Sequence, residues 1–252
     1  VTAIGPTTVL ATFLIFCRVG TCLMLMPGFG AQRVPMRVRL FIALSLTFAL
    51  APLLVPAVEP ATTGNVTPVA LLGLIASEAL VGAILGLMAR MFLLSLQFAG
   101  AAIGMLIGLS NTPDTMIDED EPAASLTTLI TLTATVLIFL TELHWEMLRA
   151  VVDSYGTVPV PHQMAANFGL VKLVDAVTDG FMLALRICSP FIVYSLLVNL
   201  LFGILGKLTP QIPVYFISIP FVLAGGGFIL YFTSAEFLQI FIVTFSQWLQ
   251  RL

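Results

Sequence analysis

The sequence predicts an all-α polytopic membrane protein, and three observations carry that prediction. Of 252 residues, 59% are hydrophobic and only 9% are charged, whereas soluble domains run at roughly 45–50% apolar and about 25% charged. The mean hydropathy is +1.09. Apolar runs close to the roughly 20 residues that cross a hydrocarbon layer recur along the chain, about six in number. A water-soluble sphere of this size has too little interior to hide so much apolar surface, whereas lipid tails solvate it and leave the backbone to satisfy itself as helices.

The first run extends from about Thr8 to Met26 and the second from about Val38 to Val55. The opening Val1–Thr2–Ala3–Ile4–Gly5 lacks a basic stretch before its apolar run, so this first segment is expected to remain in the mature chain. Between the two runs lie Pro27–Gly28–Phe29–Gly30 and then Arg33, Arg37 and Arg39, the densest positive cluster in the chain, which the positive-inside rule places in the cytoplasm. The linker from Pro56 to Pro68 is rich in Pro, Thr and Gly, holds no Lys or Arg, and suits a short loop on the opposite face.

From Val69 to Leu109 the chain is apolar for too long to be one simple span, with Glu78, Arg90 and Gln97 inside it. Two spans meeting near Arg90, a helical hairpin and a broken helix all fit. Asn111 to Pro122 follows, and its Asp114, Asp118, Glu119, Asp120 and Glu121 form the one strongly charged run, which must be solvated or line water. A further span covers about Ala123 to Leu140. The amphipathic stretch from Glu142 to Asp179 contains Tyr155–Gly156–Thr157–Val158–Pro159–Val160–Pro161, whose Pro and Gly predict a break between two shorter helices. The remaining apolar runs, about Gly180 to Leu205 and Val214 to Phe232, are joined by Lys207–Leu208–Thr209–Pro210–Gln211–Ile212–Pro213. A last amphipathic stretch to Leu252 carries Trp248 and Arg251 in the manner of an interfacial anchor. Charge does not assign sides to these spans consistently, which favours some hydrophobic helices packing against other subunits instead of crossing lipid singly.

Function classes narrow quickly. Ten Lys+Arg scattered through the chain and a net charge of −3 leave no basic footprint for nucleic acid. Cys17, Cys22 and Cys188 lie in apolar runs without CxxC spacing, so they read as small buried hydrophobes. Glu142, His144 and Glu146 alternate, which on a helix sends them to different faces, and HExxH spacing and a GxSxG elbow are both absent. Catalytic, cofactor-binding and metal-ligating residues are therefore not assigned. Arg18, Glu78, Arg90 and Arg186 are ionisable groups at membrane depth, read either as functional or as neutralised pairs and snorkelling side chains. Gly82 and Gly86, then Gly100, Gly104 and Gly108, recur every fourth residue and make flat helix faces for close packing, within the chain or against other subunits. Gly225–Gly226–Gly227 in the last apolar run reads as a hinge or a tight contact.

Three stretches resemble the FliR/SctT family of flagellar and injectisome type III export gates. The most specific is Asn199–Leu200–Leu201–Phe202–Gly203–Ile204–Leu205–Gly206–Lys207–Leu208–Thr209–Pro210–Gln211–Ile212–Pro213, running on to Pro220, which is similar to the family's Asn-led helix, basic turn and Pro–Gln pair. The second is Arg33–Val34–Pro35–Met36–Arg37–Val38–Arg39 followed by Ala43 to Pro52, and the third is Gln97 with Gly100, Gly104, Gly108, Leu109 and Ser110. Their order and spacing extend the resemblance over essentially the whole chain, with the flagellar branch the closer fit.

The resemblance implies a non-enzymatic core subunit of a protein-export gate in the bacterial inner membrane, within the flagellar basal body and needed for flagellum assembly. It implies FliP-like and FliQ-like subunits arranged around a narrow conduit, an FlhB-like protein at its entrance, an FlhA-like ring below, and unfolded flagellar substrates in transit. It also implies a FliP-like part to about residue 175, a FliQ-like hairpin over about 176–252, and hairpins raised out of the bilayer plane. The family's lumen plug maps by position to about Ser110–Pro122. Here that loop reads Asn111–Thr112–Pro113–Asp114–Thr115–Met116–Ile117 before its acids, and only Met116 and Ile117 are apolar enough to seal; either those two carry the seal, or neighbouring subunits do and the loop is a charged collar, or it is a plain solvated loop. A multi-pass secondary transporter, with the four buried-depth charges around a midplane substrate, and an injectisome homologue are the alternatives.

Overall fold

A computed structural model describes residues 5–30, 34–63, 67–109, 122–160, 166–209, 211 and 214–251. Among these residues the chain is helical without strands. Helix α1 is Pro6–Leu25, α2 Met36–Val58 with a short 3-10 turn at Glu59–Ala61, α3 Pro68–Leu106, α4 Pro122–Leu140, α5 Leu143–Thr157, α6 Ala166–Leu208 and α7 Val214–Leu249. Proline opens α1, α3 and α4, where its missing N–H removes a donor that the first turn leaves unpaired anyway. Five helices are long and apolar enough to cross a membrane, and α4 with α5, taken as one span broken near Glu142, is a sixth.

The long helices correct several expected breaks. The run from Val69 is neither a hairpin nor two spans: α3 is continuous for 39 residues, and Arg90 stands exposed on its surface. A charge on a helix surface leaves the backbone ladder intact, so it marks an environment and not a helix end. The expected break after Tyr155 is present, but α6 joins the stretch before Asp179 to the apolar run after it in one helix of 43 residues. Pro190 sits inside α6 and removes the N–H that would pair with the carbonyl of Arg186. The Ser189 hydroxyl donates to that carbonyl instead, at 2.9 Å, and the helix continues. Likewise α7 runs unbroken for 36 residues through Gly225–Gly226–Gly227. Trp248 is no exposed anchor: it is buried against Phe245, with ring centroids 5.9 Å apart.

The chain forms two compact units: residues 1–92 with 142–178 and 249–252, and residues 93–141 with 179–248. In the first, α1 carries the most completely buried surface, including Ala11, Leu14, Ile15 and Val19. Its start is tied to the end of α2, where the Thr7 hydroxyl donates to Glu59 Oε1 at 3.2 Å. The outer side of α2 leaves Phe41, Phe48 and Leu53 more than three-fifths exposed, as befits a helix apolar on every side. In the second unit the core is aromatic, with Phe191, Phe241 and Phe245 fully buried and Phe241 stacked on Phe245.

Candidate functional site

Within the first unit two of the ionisable groups marked at membrane depth meet. Arg18 on α1 is completely buried, as is Glu78 on α3. Arg18 Nε donates to Glu78 Oε2 and Nη2 to Oε1, both at 2.8 Å, forming a two-pronged pair that matches the planar guanidinium to the carboxylate. Its remaining donors reach α5 and the residue after it: Nη1 to the Ser154 hydroxyl at 3.1 Å and Nη2 to the Val158 carbonyl at 3.0 Å. The Tyr155 ring lies under the guanidinium, 3.9 Å from centroid to Cζ. Ser154 in turn donates to the Val151 carbonyl at 2.6 Å, which fixes the hydroxyl that accepts from Arg18.

The cluster therefore joins α1, α3 and α5 through one cation. It offers no nucleophile beside a base and no open ligand position. What it does physically is hold three helices in one register, because a charge pair in a low-dielectric interior tolerates little displacement. Arg90 and Arg186 are not part of it; both are exposed. Beside the cluster, still within the first unit, is a cavity of about 410 Å³ walled by Val81, Leu85 and Met88 and rimmed by Glu146, Arg149 and Asp153.

The fourth-residue glycines lie where backbones come closest. A Cβ on Gly82 would run into the Arg18 carbonyl and the Thr21 hydroxyl, and one on Gly86 would lie 2.6 Å from the Cys22 carbonyl oxygen. These glycines let α3 approach α1 closely enough for Glu78, one turn earlier, to reach Arg18. In the second unit Gly100 faces Thr127 of α4, where a Cβ would stand 3.2 Å from Thr127 Cα. Gly104 is buried, and Gly108 lies beyond the end of α3 with φ 81°, a left-handed turn that glycine adopts without strain.

The glycine triplet is a tight contact. The Tyr194 hydroxyl of α6 donates to the carbonyls of Phe221 at 3.0 Å and Val222 at 3.2 Å. A Cβ on Gly225 would collide with that hydroxyl, and one on Gly226 would lie 2.5 Å from Ile107 Cβ. Sequence reading did not single out Tyr194, although a lone phenol inside an apolar run is a polar atom that needs a partner. Ser154 also went unmarked, because a serine near a helix end has many ordinary uses.

Of the family-motif residues, Pro35 precedes α2 and Arg37 is exposed in its first turn. Asn199 donates to the Ser195 hydroxyl at 3.2 Å and, with Gly203, lines a groove of about 430 Å³. Lys207 lies in the last turn of α6, Gln211 is exposed in the turn that follows, and Pro220 is inside α7. Arg33 and Pro210 fall outside the described residues, as do Ser110, Asn111, Thr112, Pro113, Asp114, Thr115, Met116 and Ile117 of the expected plug.

Residues 9–248 match the family of bacterial export proteins, family 1. The chain is similar to the flagellar biosynthetic protein FliR of Caulobacter vibrioides, 32% identical over 209 residues that cover 82% of this chain and 81% of that one. It is also similar to the FliR of Escherichia coli, 28% identical with 79% and 75% covered, and to that of Bacillus subtilis, 27% identical with 85% and 82% covered.

Proposed function

The chain belongs to the bacterial export proteins of family 1, and from that membership we propose that it is an integral subunit of the flagellar protein-export gate in the bacterial inner membrane. The observation that carries this reading is the end-to-end match of residues 9–248 to the family, together with the flagellar name borne by its relatives. The role is structural: the chain contributes wall to a conduit that unfolded flagellar proteins traverse, in company with FliP-like and FliQ-like subunits and the FlhB-like and FlhA-like export proteins. The chain to about residue 175 serves as the FliP-like part and residues from about 176 as the FliQ-like hairpin.

A conduit of this kind must block ions yet yield to a passing chain, and a flexible apolar constriction does both by excluding water. On this reading the loop from Ser110 to Pro122 stands at the seal, either closing it through Met116 and Ile117 or forming a charged collar beside a seal that neighbouring subunits supply. Supporting the structural role, Arg18 and Glu78 are engaged with each other, which leaves a transporter reading without two of its four proposed substrate ligands.

Deleting the gene is expected to abolish filaments and secretion of flagellar subunits, with restoration by a plasmid copy. Normal filaments in the deletion strain would refute the proposal. Extraction in mild detergent should bring out a large particle containing FliP-like and FliQ-like subunits, whereas a lone monomer stabilised by a small solute would favour transport.

A further inference from the structure

The cavity beside the Arg18 cluster has a lining of two kinds. All of its residues belong to the first unit, so its shape is set within one compact body. From α3 it receives Val81, Leu85 and Met88, spaced four and three residues apart on one helix face and apolar throughout. On α5 and α6 the lining includes Ala150 and Gly169, whose small side chains leave room for a volume of about 410 Å³. Ser154, whose hydroxyl accepts from Arg18, lines it as well.

The rim of this apolar space is charged, with both signs. Glu146, Arg149 and Asp153 line it from α5, at spacings that set them on one face of the helix, and Lys172 lines it from α6. Arg149 meets Asp153 at 3.8 Å with both side chains more than two-thirds exposed. So long and solvated a pair contributes little and leaves the guanidinium donors available to another anion. The four rim charges sum to zero. A purely anionic headgroup would set its charge against Glu146 and Asp153, and a purely cationic one against Arg149 and Lys172, whereas a headgroup carrying both signs satisfies both. Along the helix axis Glu146 and Asp153 stand about 4.5 and 6 Å to either side of Arg149. The two-carbon bridge between a phosphate and a primary ammonium spans such a separation.

We propose that this cavity is a binding site for an aminophospholipid of the phosphatidylethanolamine class. One acyl chain lies along Val81, Leu85 and Met88, Arg149 and Lys172 hold the phosphate, and Glu146 or Asp153 accepts from the ammonium in a charge-assisted hydrogen bond. The volume is that of a small-molecule pocket and suits one acyl chain, leaving the second among the surrounding lipid. Trp145, next to Glu146 in the chain, is 61% exposed and carries the kind of amphipathic ring that settles among headgroups. Ser154 and Val158 both line the cavity and both accept from Arg18, so an occupant packs against the turn that anchors α5 to α1 and α3. The inference needs the chain to lie in a membrane and is independent of what it exports.

The test uses the full chain with its co-extracted partners, stripped of lipid in mild detergent and then supplied with dioleoyl phosphatidylethanolamine or dioleoyl phosphatidylglycerol. Thermal unfolding is read as the difference with and without lipid within each variant, so that a change in intrinsic stability cancels. A ligand that binds the folded state raises the melting temperature by mass action. Phosphatidylethanolamine is expected to raise it by several degrees and phosphatidylglycerol by much less. Arg149→Ala should lose most of the phosphatidylethanolamine rise. Glu146→Gln with Asp153→Asn should lift the phosphatidylglycerol rise to that of phosphatidylethanolamine, because the carboxylates that repel an anionic headgroup are gone. Equal rises for the two lipids on the unsubstituted chain, or the full rise retained in Arg149→Ala, would overturn the proposal. Phosphatidylethanolamine with a diazirine on one acyl chain reads the same site without any variant: adducts are expected on residues 81–88, and their absence there overturns the proposal as well.

Discussion

Replacing Arg18 by Met removes both prongs of its pair with Glu78 and the bonds to Ser154 and Val158, and leaves a fully buried carboxylate without its cation. Breaking a buried pair from one side destabilises by about 3–5 kcal/mol, because the orphaned charge keeps its desolvation penalty. At about 1.4 kcal/mol per decade this is a loss of two to three and a half powers of ten in the folded fraction. Glu78→Leu, which strands the guanidinium, is expected to fall in the same range. The double variant Arg18→Met/Glu78→Leu removes both charges and fills the space with apolar atoms, and buried pairs replaced in this way are often neutral or better. The assay is thermal unfolding in mild detergent followed by size-exclusion, alongside the steady-state level of the chain in membranes. Each single variant should melt well below the parent and accumulate poorly, and the double should recover most of the loss. A double variant that is merely the sum of the singles, or a Glu78→Leu chain as stable as the parent, would refute the coupling.

Gly82→Ala places a methyl against the Arg18 carbonyl and should loosen α3 from α1, lowering the melting temperature; Gly73→Ala on the same helix meets nothing within 4 Å and should gain up to about 1 kcal/mol of helix propensity. The triplet divides in the same way, since Gly225→Ala strikes the Tyr194 hydroxyl while Gly227→Ala points into open space. Thermal melts should therefore separate the pair, and Tyr194→Phe in the Gly225→Ala background should return part of the loss. Met116→Ser with Ile117→Ser is expected to raise ion conductance in membranes holding the assembled gate, and unchanged conductance would count against a sealing role for those two side chains.

How much of this was legible in the sequence depends on the range of the interaction. Fold class follows from composition, since lipid and helix together are what satisfy so apolar a backbone. Helix ends were read less well wherever a charge or proline was taken for a break. Arg90 points outward without disturbing the backbone of α3, and Pro190 is carried through α6 by the hydroxyl of the residue before it. The four-residue glycine spacing does mark close approach at Gly82 and Gly86, a local pattern with a local consequence. Arg18 and Glu78 were visible as misplaced charges, but 60 residues separate them in the chain, and nothing in one sequence says which cation a buried carboxylate will find.

Three of the helices are much longer than a hydrocarbon layer is thick. At about 1.5 Å per residue, α3, α6 and α7 rise roughly 58, 64 and 54 Å, against a hydrocarbon layer of about 30 Å. Apolar side chains are exposed along far more than one such layer: in α6 Phe181 is 53% and Met182 61% exposed, as well as Leu200 at 60%, and in α7 Val243 is 48% exposed. Leaving such side chains in water forfeits about 1.5–3 kcal/mol for each one that burial would have covered, a sum comparable with the whole stability of a typical fold of about 5–15 kcal/mol. On the export-gate reading proposed above, these surfaces are where other subunits would pack. Whatever covers these surfaces, the Arg18–Glu78 cluster holds α1, α3 and α5 in one register within the first unit.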